Sequence, residues 1–224
     1  MVARKRQRAG VRFHRVSSRL ASLAAELQDV WRHSGNVNPI THGLIGWCLA
    51  ETAPTLTNHH RGIVLVASIA PDLDGLGAVP ELLTRNGSHP LFWWSEYHHL
   101  VTHNLPFACL VGLVAALLAR SKRLLTAGLA FVAVHLHLLG DVTGSRGPDG
   151  HQWPLSYLYP FAAQPELAWS GQWKLNGWQN FAITAALLGV TFVLAWRRGY
   201  SPIALVSRRA DRAFVTALRA STWQ

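Results

Sequence analysis

Four sets of histidine and aspartate side chains sit at the ends of apolar segments of this chain: His42; Asp72 and Asp74; His98, His99 and His103; and His137 with Asp141. A polar group buried beside apolar residues is costly unless it is bound to something. On a helix, residues four apart share a face, so His137 and Asp141 point at one object. An imidazole beside a carboxylate is a pair that holds a divalent ion. His99 and His103, read as one helical turn apart, offer a second paired face. The chemistry such a set supports is metal binding and, through the metal, hydrolysis: the ion lowers the pKa of a bound water and polarises the ester or phosphoryl oxygen under attack. Asp74 or His98 is the first candidate for the base.

Each set also has an ordinary reading. His42 can be a helix cap or surface residue, and Pro71-Asp72-Leu73-Asp74-Gly75 can be a plain helix stop and turn. On a regular helix His98 points away from His99 and His103, and His135 lies about 200° from His137 on the helical wheel, which leaves both for an outer role or packing. Glu96 and His151 are read as bystanders, His59-His60 as solvated loop residues, and Trp93-Trp94 as an interface anchor.

The elements that must position these residues are helices in hairpins. Apolar or amphipathic segments are expected over 41–52, 62–71, 105–119, 124–140 and 181–196. If neighbours run antiparallel, every candidate ligand falls at one end of the bundle. Arg61, Arg120, Lys122, Arg123, Arg197 and Arg198 then collect at the other, and scattered core histidines would not sort in this way. The segment 181–196 is the best spanning candidate, flanked by Trp178, Trp196 and Arg197-Arg198. Residues 142–177, rich in Gly, Pro and Trp, read as a loop over one end of the bundle, with Gly144 to Trp173 capping the site.

Composition suggests a membrane. Of 224 residues 50% are hydrophobic and only 14% charged, below the roughly 25% charged of soluble domains. The formal charge of +10 is concentrated at Arg4 to Arg19 and Arg197 to Arg219, and basic ends on an apolar body fit anionic lipid head groups better than a nucleic-acid groove. The ten Trp agree, since indole rings gather at the membrane interface. Residues 16–31 and 203–218 read as amphipathic surface helices. Arg19, Glu26 and Asp29 interrupt the first of these, which argues against a cleavable signal peptide. Cys48 and Cys109 read as small buried hydrophobes.

With these residues placed, the chain resembles the bacterial membrane-bound metal-dependent hydrolases of the YdjM-like inner-membrane family. The resemblance rests on Thr41-His42 with Gly46, on Pro71-Asp72-Leu73-Asp74, and on His98-His99 with Thr102-His103-Asn104. It also rests on His137-Leu138-Leu139-Gly140-Asp141, followed by Trp153-Pro154-Leu155 and Tyr159-Pro160-Phe161. It covers about residues 38–162. That family is in turn distantly similar to zinc-dependent phospholipase C and the zinc single-strand nucleases, all-helical enzymes whose metal ions are bound by His and Asp. Their His-xxx-Asp helix motif is matched by His137 and Asp141, their early His by His42, and their loop Asp by Asp72 or Asp74. Their final His/Glu ligand pair has no counterpart here, so one or two ions are expected rather than three.

The expected architecture is therefore all-α: an integral membrane helical bundle with a metal site at one end. Its parts are a basic tail and surface helix (1–37), a hydrolase-like helical membrane domain (38–162), a loop and transmembrane helix (163–198) and a basic amphipathic C-terminal helix (199–224). The expected ligands are His42, Asp72, Asp74, His99, His103, His137 and Asp141 around one or two Zn²⁺, with Mn²⁺ or Fe²⁺ as alternatives. The expected partners are membrane lipid and a lipid or other phosphodiester substrate, with no specific nucleic acid. The expected place is the bacterial inner membrane, crossed several times, with the metal end outside the cytoplasm by the positive-inside rule, although the basic N-terminus opposes this side. A transporter or metal carrier, and a catalytically silent protein with a structural metal, are the alternatives.

Overall fold

Close approach between helices needs small side chains, and their placement sets the crossings in this molecule. The computed structural model describes residues 39–147, 150–162 and 164–220. Among these, regular structure is helical apart from two isolated β-bridges. The helices are α1 (Pro39–Glu51), α2 (Asn58–Ile69), α3 (Ala78–Thr84), α4 (Trp93–Tyr97), α5 (Leu105–Leu118), α6 (Arg123–Gly144), α7 (Trp178–Arg198) and α8 (Arg208–Ala220). Tight 3-10 turns, Ala70–Gly77 and Pro202–Leu205, follow α2 and α7. The tail and surface helix expected before residue 38 lie outside the described residues.

Three stretches are long and apolar enough to cross a membrane: Asn58–Thr84, Arg123–Gly144 and Trp178–Arg198, with α5 as a shorter apolar helix. Leu113, Leu117, Val190 and Val193 stand on outward faces of α5 and α7, as lipid-facing residues would. Cys109 is exposed on α5 rather than buried, because that face of the helix looks outward.

α1, α2, α5 and α6 share a core of Ala50, Val64, Ala67, Ala115, Ala130 and Ala133, in which alanines let backbones come close. At the α1–α2 crossing a Cβ on Gly46 would meet Ser68 Oγ at 2.2 Å, so glycine is required there. On its other side α1 meets α7 through Thr41 and Thr184, whose hydroxyls are 2.7 Å apart, and through Cys48 and Thr191.

Local chemistry fixes the helix ends. α2 is capped by Thr57, with His60 in the place usually held by Glu or Gln: Thr57 N donates to His60 Nδ1 at 3.2 Å. His60 Nε2 then donates to the Ser121 carbonyl at 2.9 Å, so this buried histidine ties two turns together and is not a solvated loop residue. Asn104 caps α5, accepting from Phe107 N at 2.8 Å and donating to the Leu100 and Val101 carbonyls. α7 ends at Gly199, whose φ of 80° suits glycine.

At the α7 end with Arg197 and Arg198, a charged knot is buried. Glu51 of α1 meets Arg61 Nε of α2 at 2.6 Å and also pairs with Arg198. Tyr200 donates to Glu51 at 3.0 Å and accepts from Arg61 at 2.7 Å. Arg61 and Arg198, two of the basic residues expected at this end, are compensated by Glu51, near in space and distant in sequence. Arg120, Lys122, Arg123 and Arg197 are exposed.

The loop 145–177 folds back on the end of α6. Bridges join Arg146 to Lys174 and Leu155 to Leu167, and Leu155 is buried against Ala108, Val134 and Leu138. Asn180 at the start of α7 donates to the Gly144 carbonyl at 2.9 Å and accepts from Trp173 Nε1 at 2.8 Å.

Candidate metal centre

His42 lies in the first turn of α1, Asp72 in the 3-10 turn after α2, His103 just before α5, and His137 and Asp141 in the last two turns of α6. The hairpins bring these positions, with His99, into one buried cluster. Three overlapping groups have ligand atoms within 4.8 Å of one another: His42, His137 and Asp141; Asp72, His103 and His137; and His99, His103 and Asp141.

His137 is the centre of the cluster. Its Nδ1 donates to the Ser68 carbonyl at 2.8 Å, which fixes the tautomer and leaves Nε2 with its lone pair facing inward. That Nε2 is 3.0 Å from Asp141 Oδ2, 3.6 Å from Asp72 Oδ1 and 3.3 Å from His103 Nε2. The His42 ring stacks on that of His137 with centroids 3.7 Å apart. Gly140 makes room for it, since a Cβ there would stand 3.2 Å from His42 Cε1. Ser68 serves both histidines, its hydroxyl donating to the His42 carbonyl at 2.8 Å.

His99 and His103 do converge, with centroids 4.4 Å apart, but not as neighbours on a helix. Residues 98–104 are turn and bend, because Asn104 caps α5 and Pro106 belongs in a first helical turn. His99 has a φ of 68°, a left-handed conformation costly for a residue with a Cβ and found at functional sites where the surroundings enforce it.

Asp74 stands behind the ligands rather than among them. Its Oδ2 accepts from His103 Nδ1 at 3.0 Å and from the His99 amide at 3.1 Å, and its Oδ1 accepts from His98 Nδ1 at 2.8 Å. With both oxygens engaged, it orients two imidazoles from outside, as outer carboxylates do at metal sites. His98 lies between Asp74 and Trp94, stacked on the indole with centroids 3.7 Å apart, so Trp94 is a wall of the site rather than an interface anchor. Trp153 of the returning loop lies 5.4 Å from His99, and Gln172 donates to the Asp141 carbonyl at 2.8 Å. His135 faces away, bonded to the Phe131 carbonyl and the Tyr157 hydroxyl. Glu96 and His151 are exposed and belong to none of the three groups.

The donors suit a cation. Neither ring nitrogen of His42, neither oxygen of Asp72 and not Asp141 Oδ2 makes a hydrogen bond, although all are buried. His42 Nε2 is 3.6 Å from Asp141 Oδ1, beyond hydrogen-bond reach. Burial, helped by His137, pushes the His42 pKa down to about 4, and burial holds His99 well below its usual value. Both are neutral imidazoles at neutral pH, the form that ligates a metal. Burial opposes charge on His103 as well, but the nearby Asp141 carboxylate and the hydrogen bond to Asp74 outweigh that and push it up to about 9. The carboxylates thus draw positive charge into the cluster, and a divalent ion supplies it directly.

Sequence reasoning missed Ser68 and Gly140 as parts of this construction. An isolated glycine inside the apolar run of α6 was the available signal for Gly140; nothing in the sequence marks Ser68.

The model of the YdjM inner membrane protein family matches residues 37–213 of the chain. The match continues past residue 162, the limit set by the motifs, through α7 and into α8. Searches of curated proteins and of solved structures found no match.

Proposed function

The chain belongs to the YdjM inner membrane protein family, and from that premise we propose that it is a membrane-bound metal-dependent hydrolase acting on a phosphodiester or related ester of a lipid. The observation that carries this reading is the convergence of buried His42, Asp72 and Asp141 atoms, without hydrogen bonds of their own, on one cluster with His99, His103 and His137. His42, Asp72, His99, His103, His137 and Asp141 would hold one or two divalent ions. The mixture of imidazole and carboxylate suits Zn²⁺ better than Mg²⁺, which prefers oxygen ligands. A bound ion of this kind supplies Lewis acidity, acidifying water and stabilising charge on the ester or phosphoryl oxygen.

The chain's own residues do the rest. Asp74 fixes the tautomers of His98 and His103. His98, beside the ligands and absent from the three groups, is the candidate to carry a proton to or from the reacting oxygen, with Asp74 balancing its charge. Trp94 and Trp153 keep water from the flank of the site. The resemblance to zinc-dependent phospholipase C drawn from the motifs implies the same chemistry. A carrier would spread its ligands along a path, whereas each of the three groups here shares a member with the other two. The exposed Arg120, Lys122, Arg123 and Arg197 favour the cytoplasmic side for the far end, leaving the metal centre on the outer side.

The test is metal analysis of wild type and His137→Ala purified without chelator, with assays on a panel of phosphodiesters. Stoichiometric metal and hydrolysis in the wild type, both lost in the variant, are expected. A wild type without metal, whose hydrolysis no added ion restores, would end the enzyme reading. Retained metal with no turnover on the panel would favour a structural metal.

A further inference from the structure

Outside the ligand cluster, an apolar groove with a volume of about 1030 Å³ runs between α2 and α5. Ile63 and Val66 line it on one wall and Val111 and Val114 on the other, while Pro202 and Leu205 close part of its length. At one end it stops at the polar residues His59 and Arg208; at the other it reaches Leu73 and Phe107. Both walls run directly into candidate ligands at this second end. Leu73 follows Asp72, and α5 begins two residues after His103. Asp72 and His103 belong to one ligand group, and Asp72, with 11% of its side chain exposed, is the least buried of the six donors.

We propose that this groove holds the hydrocarbon chain of a lipid phosphodiester, so that the head group is delivered between the ends of α2 and α5 at Asp72. The identity of the head group rests on the hydrolase reading; the seat of the chain does not. α2 has 12 residues and is about 18 Å long, enough for a substantial part of an acyl chain laid beside it. Surrounding lipid is as apolar as the groove, so the groove adds little affinity. Its contribution is orientation: a chain held along α2 and α5 leaves its head at one place relative to the ligands, converting lateral diffusion into a positioned encounter.

The test uses the full chain in phosphatidylethanolamine and phosphatidylglycerol vesicles containing a phospholipid with a photoactivatable diazirine on its acyl chain. Cross-links mapped by mass spectrometry should concentrate several-fold on α2 and α5 groove residues over Val190 and Val193 of α7. The double variant Val66→Trp, Val114→Trp should lose that excess while keeping the wild-type metal content. Gly62→Leu, with its added Cβ 3.6 Å from Leu205, narrows the far end and should lower labelling there alone. Even labelling of α5 and α7, or a groove excess that the tryptophans leave unchanged, overturns the proposal. Turnover of soluble bis(p-nitrophenyl) phosphate by the same preparations reports on the hydrolase reading separately, so either idea can fail without the other.

Discussion

The two ends of the helical bundle both bury charge, and they do so in opposite ways. At the far end Glu51 is answered by Arg61, Arg198 and Tyr200, whose hydroxyl donates to the carboxylate and accepts from Arg61. At the other end two carboxylates and four imidazoles converge, and several of their buried atoms make no hydrogen bond. Burying a charged group in apolar surroundings is costly in both places. A cluster that closes on its own partners is explained by the fold, joining α1, α2 and the end of α7. A cluster left open toward a common centre is explained by something it binds. Buried charge alone therefore identifies neither function nor its absence; what separates the cases is that Glu51 Oε1 and Arg61 Nε close on each other at 2.6 Å, whereas His42 Nδ1 and Asp72 Oδ2 have neither a hydrogen bond nor an opposite charge in contact.

Four perturbations sharpen or break this contrast. The largest effect is expected from Glu51→Ala, which leaves Arg61 buried without its counter-charge and should cost about 3–5 kcal/mol of stability. Thermal unfolding of the purified protein checks it, and a Tm close to wild type would show that the knot does not hold the helices. Second, chelation should lower the Tm of wild type, since an ion bound at 1,000 times its Kd stabilises the fold by about 4 kcal/mol. His137→Ala should show no response to chelator, and an equal response would place the stabilising ion elsewhere. Third, Asp74→Asn should weaken metal affinity about 10–100-fold while leaving stoichiometry intact at saturating metal, because it orients ligands without being one. Competition titration against a metal indicator reads this directly, and loss of a whole equivalent would make Asp74 a ligand after all. The smallest effect belongs to Arg198→Ala, whose side chain is 29% exposed: about 1 kcal/mol or less, seen as a slight shift in chemical denaturation.

How far the sequence discloses this architecture depends on the distance over which each feature is determined. The apolar runs, the helical class and the sorting of His and Asp to one end follow from local periodicity plus antiparallel hairpins. His99 and His103 show the limit of that logic. Their spacing predicts a helical face, yet the Asn104 cap starts α5 only afterwards, and the pair meets through a turn with His99 left-handed. Asp74 has the right side-chain type for a ligand, and only the three bonds it accepts reveal its supporting place. The Glu51 knot was illegible for another reason: Arg198 and Tyr200 are separated from Glu51 by 147 and 149 positions, and no local pattern joins them.

Ser68 shows what it would take to move this centre into another protein. It offers no ligand atom, yet its hydroxyl holds the backbone at His42 and its carbonyl fixes the ring of His137. A graft copying only the six donor side chains would carry over the vocabulary of the site without its syntax. The smallest transferable unit is the three-helix junction of α1, α2 and α6, with Gly46 and Gly140 included so that Ser68 and His42 can reach their places.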